Sequence, residues 1–163
     1  MRTASQVGPY LIIMVLYHCM VLLLIGMMVS VASGKGEDQV DLSSYQGKNR
    51  LLMLFAPSEN DPMYQSFKEQ LQIRTQQARD RDLVTFHAFE GGDGRLDDRP
   101  LHREQVLSLR KLFSIKRGQC TVILIGKDGD VKFREQLPVD LSDILAVIDA
   151  MPMRQREMRE RSE

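Results

Sequence analysis

The chain has 163 residues, with 22 Lys plus Arg against 22 Asp plus Glu, so its formal charge is zero. That balance argues against a nucleic-acid-binding protein, which carries a basic bias. There are two cysteines and no tryptophan, and the part after an N-terminal apolar stretch has the length of one domain with a single core, about 100–150 residues.

At the N-terminus, Arg2 precedes an uncharged run from Tyr10 to Ser33. Residues 1–33 therefore read as a signal peptide or a membrane anchor. A basic end, an apolar stretch and small residues at Ser30-Val31-Ala32 or Val31-Ala32-Ser33 favour a cleaved signal, while the length of the run would also suffice to span a bilayer. Either reading exports the rest of the chain, to a periplasmic or secreted location or to the outer side of an anchor. Membrane contact is expected only if the segment is uncleaved. His18 reads as a tolerated neutral imidazole, and Cys19 as an acyl acceptor only in a retained anchor.

Residues 34–46 are polar and read as a linker, and residues 47–153 as the folded domain. Arg50 to Ala56 is a compact apolar run ending at Pro57, the pattern of a buried strand. Asp61-Pro62 then supplies an N-cap and a first-turn proline. Met63, Phe67, Leu71, Arg74 and Ala78 continue at helical spacing, so one helix is expected to about Arg79. Leu83 to Phe89 has the bias of a second strand, and the segment from Glu90 to Pro100 that of a loop. A second helix is expected from His102 to Phe113, with Val106, Leu109, Leu112 and Phe113 inward. Thr121 to Ile125 is the next strand, Asp128-Gly129 a tight hairpin, and Asp130 to Arg134 the return. A last helix starts at Asp140 or Ser142 and is interrupted at Pro152. Residues 154–163 read as a charged helical tail, solvated, with Arg156–Glu160 and Glu157–Arg161 as i,i+4 pairs.

The order β-α-β-α-β-β-α is the thioredoxin-like one, an α/β fold with a central mixed sheet flanked by helices. The segments RLLMLFAPSENDP, RDLV, LIGKDGDVK and IDAMPMRQREM resemble an exported, peroxiredoxin-like domain family of unassigned function. That family is also found in sushi-repeat-containing and coiled-coil-containing extracellular matrix proteins. The resemblance covers about Leu42 to Met158, and it implies a thioredoxin-like fold without bringing an activity.

The turn where that fold carries a reactive Cys-x-x-Cys reads Ser58-Glu59-Asn60-Asp61. It has no thiol, and Ser58 lacks an evident activating base. Asp61 is accounted for as an N-cap. Cys120 falls where the resemblance implies the cis-proline of thioredoxins. Two expectations follow for it: a small buried hydrophobe, or a thiol at the mouth of the cleft whose thiolate Lys116 and Arg117 favour. The candidate binding cleft comprises Pro57, Ser58, Glu59, Asn60 and Asp61 facing Gly118, Gln119, Cys120 and Thr121. Its partner is expected to be an unidentified protein or an extracellular polymer, with no nucleic acid and no cofactor. No metal site is expected, since His87 and His102 lack ligand spacing and Glu90, Asp93, Asp97 and Asp98 do not follow a calcium loop. Arg110, Lys111, Lys116 and Arg117 read as a basic patch that keeps one helix face soluble. The resulting expectation is a non-catalytic binding domain, with a monothiol oxidoreductase or redox sensor using Cys120 as the alternative.

Overall fold

The computed structural model describes residues 40–161; the readings on residues 1–33 lie outside them. Six strands form one mixed sheet in the order β4-β3-β2-β1-β5-β6. They are β1 (Arg50–Ala56), β2 (Leu83–Phe89), β3 (Gly94–Leu96), β4 (Arg99–Pro100), β5 (Thr121–Ile125) and β6 (Val131–Gln136). β1 runs parallel to β2 and antiparallel to β5, and β5 and β6 form the hairpin. All seven residues of β1 are buried, as expected of a strand covered on both faces.

The side chains alternate strictly. Leu52, Leu54 and Ala56 join Val122 and Leu124 on one face. That face is covered by α1 (Pro62–Ile73), α2 (Thr75–Asp80) and α4 (Leu141–Asp149). Leu51, Met53 and Phe55 join Ile123 and Ile125 on the other, beneath α3 (Arg103–Leu112). A one-residue slip of β1 would exchange the two cores, so its register is held by both. Gly129 closes the β5–β6 turn at φ +90°, a region open to glycine without steric cost.

Several expectations need correcting. The helix expected to run to Arg79 breaks at Arg74 into α1 and α2. Thr75 Oγ1 donates to the carbonyls of Leu71 and Gln72, a side-chain competition for backbone acceptors that bends helices. Its inner stripe is Tyr64, Phe67, Leu71 and Ala78, whereas Met63 is 46% exposed. On α3, Leu112 points outward and Arg110 is buried in its stead. The segment 90–100 is not all loop, because β3 and β4 extend the sheet from it. Within the expected linker, Leu42–Tyr45 form a short 3-10 helix, and Tyr45 packs edge-on against Phe86.

The tail is not a solvated end. It forms α5 (Pro152–Glu160), which docks through charge. Glu157 accepts two bonds from the Arg50 guanidinium, at 3.1 and 3.2 Å, and one from Lys127 Nζ at 2.8 Å. Arg154, buried, binds the Asp80 carboxylate and carbonyl. The expected Glu157–Arg161 pair is replaced by Arg161 on Asp80 at 2.6 Å. Burial alone would raise the Glu157 pKa, yet the Arg50 and Lys127 hydrogen bonds carry it down to about 2.

Candidate functional site

The candidate cleft begins where β1 ends. After Pro57 the chain turns through exposed Ser58, Glu59 and Asn60 to Asp61, the N-cap of α1. Asp61 Oδ1 accepts the backbone N–H groups of Met63 at 2.9 Å and Tyr64 at 3.2 Å, satisfying donors that a helix start leaves open. A third bond reaches the same oxygen: Cys120 Sγ donates to it at 3.1 Å. This bond joins the two segments of the candidate cleft, the turn before α1 and the segment leading into β5.

Cys120 is 4% exposed. Burial, followed by the facing Asp61 carboxylate, pushes its thiol up to about 12. The complementary effect lowers Asp61, first through the thiol hydrogen bond and then through the backbone donors of Tyr64 and Met63. The cation that acts on the thiol is Arg110, and its pull is too weak to offset burial and Asp61. Lys116 and Arg117, expected to favour a thiolate, stay exposed on the surface.

Arg110 is a framework residue that sequence reasoning placed on a soluble face. It is 7% exposed, and its guanidinium donates to the carbonyls of Ala56 and Ala88 at 3.3 Å each. These are near the carboxyl ends of β1 and β2. It also meets Glu90 Oε1 and the Lys116 carbonyl at 3.4 Å. Glu90 in turn accepts the Gly118 N–H at 2.6 Å. Arg110 and Glu90 therefore tie the ends of the parallel strands to the Gly118–Thr121 segment. Gly118 itself is exposed at φ +73°, Gln119 is half-buried, and Thr121 is buried.

A second cluster, Tyr64, His87, Arg95 and Glu59, went unrecognised in the sequence. Tyr64 OH lies 2.9 Å from His87 Nδ1, and Arg95 donates to the same hydroxyl at 3.2 Å. Glu59 is held by Arg95 and, at 3.2 Å, by Lys68. Burial, then the Arg95 and Lys68 charges, depresses His87 to about 4. The available signal was the i+3 position of Tyr64 relative to Asp61, on the same stripe as Phe67. The pairing of His87 with Arg95 across β2 and β3 required a strand that the loop composition concealed.

Of the expected acidic loop, Asp97 caps the Thr85 amide and hydroxyl, and Glu90 is engaged as described. Among the described residues no three His, Cys, Asp or Glu side chains gather in a metal-holding group. His102 precedes α3, and its N–H is accepted by the Gln105 side chain at 2.9 Å.

Comparison with known proteins places this geometry in context. The chain is 28% identical over 130 residues to coiled-coil domain-containing protein 80 of Danio rerio, matching 71% of its own length and 15% of that protein. It thus spans a small part of that relative. Among solved structures, a reduced 2-Cys peroxiredoxin of Plasmodium vivax superposes with a TM-score of 0.56 at 15% identity, over 72% of each chain. Thioredoxin peroxidase I of Plasmodium yoelii gives 0.54 at 17% identity, over 71% of this chain and 79% of the other. At such identities the likeness establishes the thioredoxin-like fold and leaves the chemistry of those enzymes with them. A family model matches residues 41–157, which include β1, the Asp61–Cys120 pair and Glu157, and the chain belongs to that family, described as a domain of unknown function (DUF4174).

Proposed function

We propose that this protein is an exported binding or interaction domain without thiol catalysis. Its partner, a protein or an extracellular polymer, meets the cleft between Pro57–Asp61 and Gly118–Thr121. The observation that carries this reading is the state of Cys120. A reactive cysteine needs access and a stabilised thiolate, while here the sulfur is buried and its S–H donates a hydrogen bond to Asp61. A framework of Arg110 and Glu90 holds the facing segment, which suits a preformed surface. Exposed Ser58, Asn60 and Gly118 supply polar contacts around it.

The alternative, a monothiol oxidoreductase or redox sensor, draws on the position of Cys120 beside the start of α1, where a helix favours negative charge. Alkylation kinetics separate the two. The binding reading expects Cys120 to resist a neutral alkylating reagent in the folded chain and to react fully after denaturation. Stoichiometric labelling at neutral pH in the folded state, or a mixed disulfide with glutathione, would favour the redox reading. Recovery of the full-length chain from membranes would show residues 1–33 to be an anchor, and a chain starting near Ser33 a cleaved signal.

A further inference from the structure

A groove of about 610 Å³ runs between α1–α2 and the strands β2 and β3, within the size range of small-ligand sites. Its charges fall into two groups. Arg95 and Lys68 are engaged by Glu59, and Asp97 by Thr85. Arg79 and Asp98 also line the groove, and among the described residues neither side chain takes part in an ion pair or a hydrogen bond. One cation and one anion are thus left unmatched in the same concavity.

The floor adds an oriented donor. A guanidinium only donates, so the Tyr64 oxygen accepts from Arg95. Tyr64 is fully buried, and among the described residues His87 Nδ1 is the acceptor within reach of its hydroxyl proton. A neutral imidazole so occupied carries its own proton on Nε2. Among the described residues no hydrogen bond takes up that Nε2–H. Among the described residues the fully buried side-chain atoms lacking a partner are Arg50 Nε and Arg154 Nε. His87 lines the groove, and Nε2–H is the donor it offers there.

We infer that this groove binds a zwitterionic ligand, a short peptide with free termini, its ammonium at Asp98, its carboxylate at Arg79, and a carbonyl oxygen between them accepting from His87 Nε2–H. Mixed charge carries the choice. A simple anion would face Asp97 and Asp98, and a simple cation would face Arg79, Lys68 and Arg95. A ligand bearing both signs matches the two unpaired groups at once and leaves the Glu59 and Thr85 bonds intact. The groove adjoins the cleft around Cys120 through Glu59, which engages Lys68 and Arg95, but Arg79, Asp98 and His87 are not cleft residues, so either site can fail without the other.

The test uses the full chain in mild detergent and a mixed tripeptide pool with free termini. Binding is read from the His87 ring and Arg79 side-chain signals in ¹⁵N NMR. Saturable shifts of both are expected with a Kd in the range of about 0.1–2 mM. N-acetylation of the pool, or its C-terminal amidation, should each weaken binding at least about tenfold, or 1.4 kcal/mol. Asp98→Asn should abolish the preference for the free ammonium, and Arg79→Gln that for the free carboxylate. Equal binding of the capped pools, an unchanged response in both variants, or no saturable shift up to 10 mM by the same scale would each overturn the inference.

Discussion

Glu157, near the C-terminus, grips Arg50, the first residue of the central strand, through two hydrogen bonds across 107 residues of sequence. Arg50 is fully buried. A charge so placed is tolerable only with its partner, because desolvating an unpaired ion costs several kcal/mol. Removing that partner with Glu157→Ala is therefore expected to destabilise the domain by about 3–5 kcal/mol. Urea titration followed by circular dichroism checks this. Arg156→Ala, on the exposed side of the same helix, should stay within about 0.5 kcal/mol of the wild type.

Acid sensitivity should arrive in two stages. His87 titrates at about 4 rather than 6.5, so the unfolded chain binds more protons in that window and stability falls as the pH drops through it. Glu157 titrates at about 2 rather than 4.5, so its contribution is complete above 4.5 and disappears as the pH falls towards 2. Each stage is worth up to about 3 kcal/mol. Stability measured against pH should lose the upper stage in His87→Gln and the lower one in Glu157→Gln. A wild-type curve flat between pH 6.5 and 4 would contradict the burial of a neutral His87.

The same two residues mark how far the sequence could be read. β1 and the Asp61-Pro62 helix start were legible because periodicity and capping are local signals. The hairpin at Gly129 was legible from its turn residues. The docking of α5 was not, since alternating charge describes a solvated helix and a buried ionic clamp equally well. Only the distant Arg50 and Lys127 make Glu157 structural. Arg110 was misread for the same reason: its acceptors are backbone carbonyls at strand ends, which composition does not reveal. At the candidate site, Cys120 could be placed beside the turn, but its protonation depended on burial and on Asp61, both tertiary.

Arg110 and Glu90 should act as positioning residues for the Gly118–Thr121 segment. Glu90→Gln keeps the shape but removes the charge that meets Arg110 and the Gly118 N–H. Charge-assisted hydrogen bonds of this kind contribute about 1.5–3 kcal/mol. Faster amide exchange is expected at Gly118, with α4 and α5 unaffected. Uniformly increased exchange throughout the domain would instead mark Glu90 as a general stability residue.

Asp61→Asn separates the capping role from the electrostatic one. Asparagine caps a helix about as well as aspartate, so the domain should stay folded, with a loss of no more than about 1 kcal/mol. The negative charge facing the thiol is gone, however, and the Cys120 pKa should fall below its wild-type value. Thiolate absorbance in the ultraviolet, followed against pH, reports the shift. An unchanged titration would mean that burial alone sets the thiol.

The central claim is that Cys120 is held as a protonated, buried thiol, and titrating that thiol in the folded wild-type chain tests it most directly. Following the rate of alkylation by a small neutral reagent together with thiolate absorbance from pH 5 to 11, the account predicts no thiolate at neutral pH and no midpoint within that range, because the thiol is pushed up to about 12, with denaturation alone restoring the ordinary value of about 8.5. A folded-state midpoint below about 7, as found for activated cysteines, would contradict it and move the protein towards thiol chemistry.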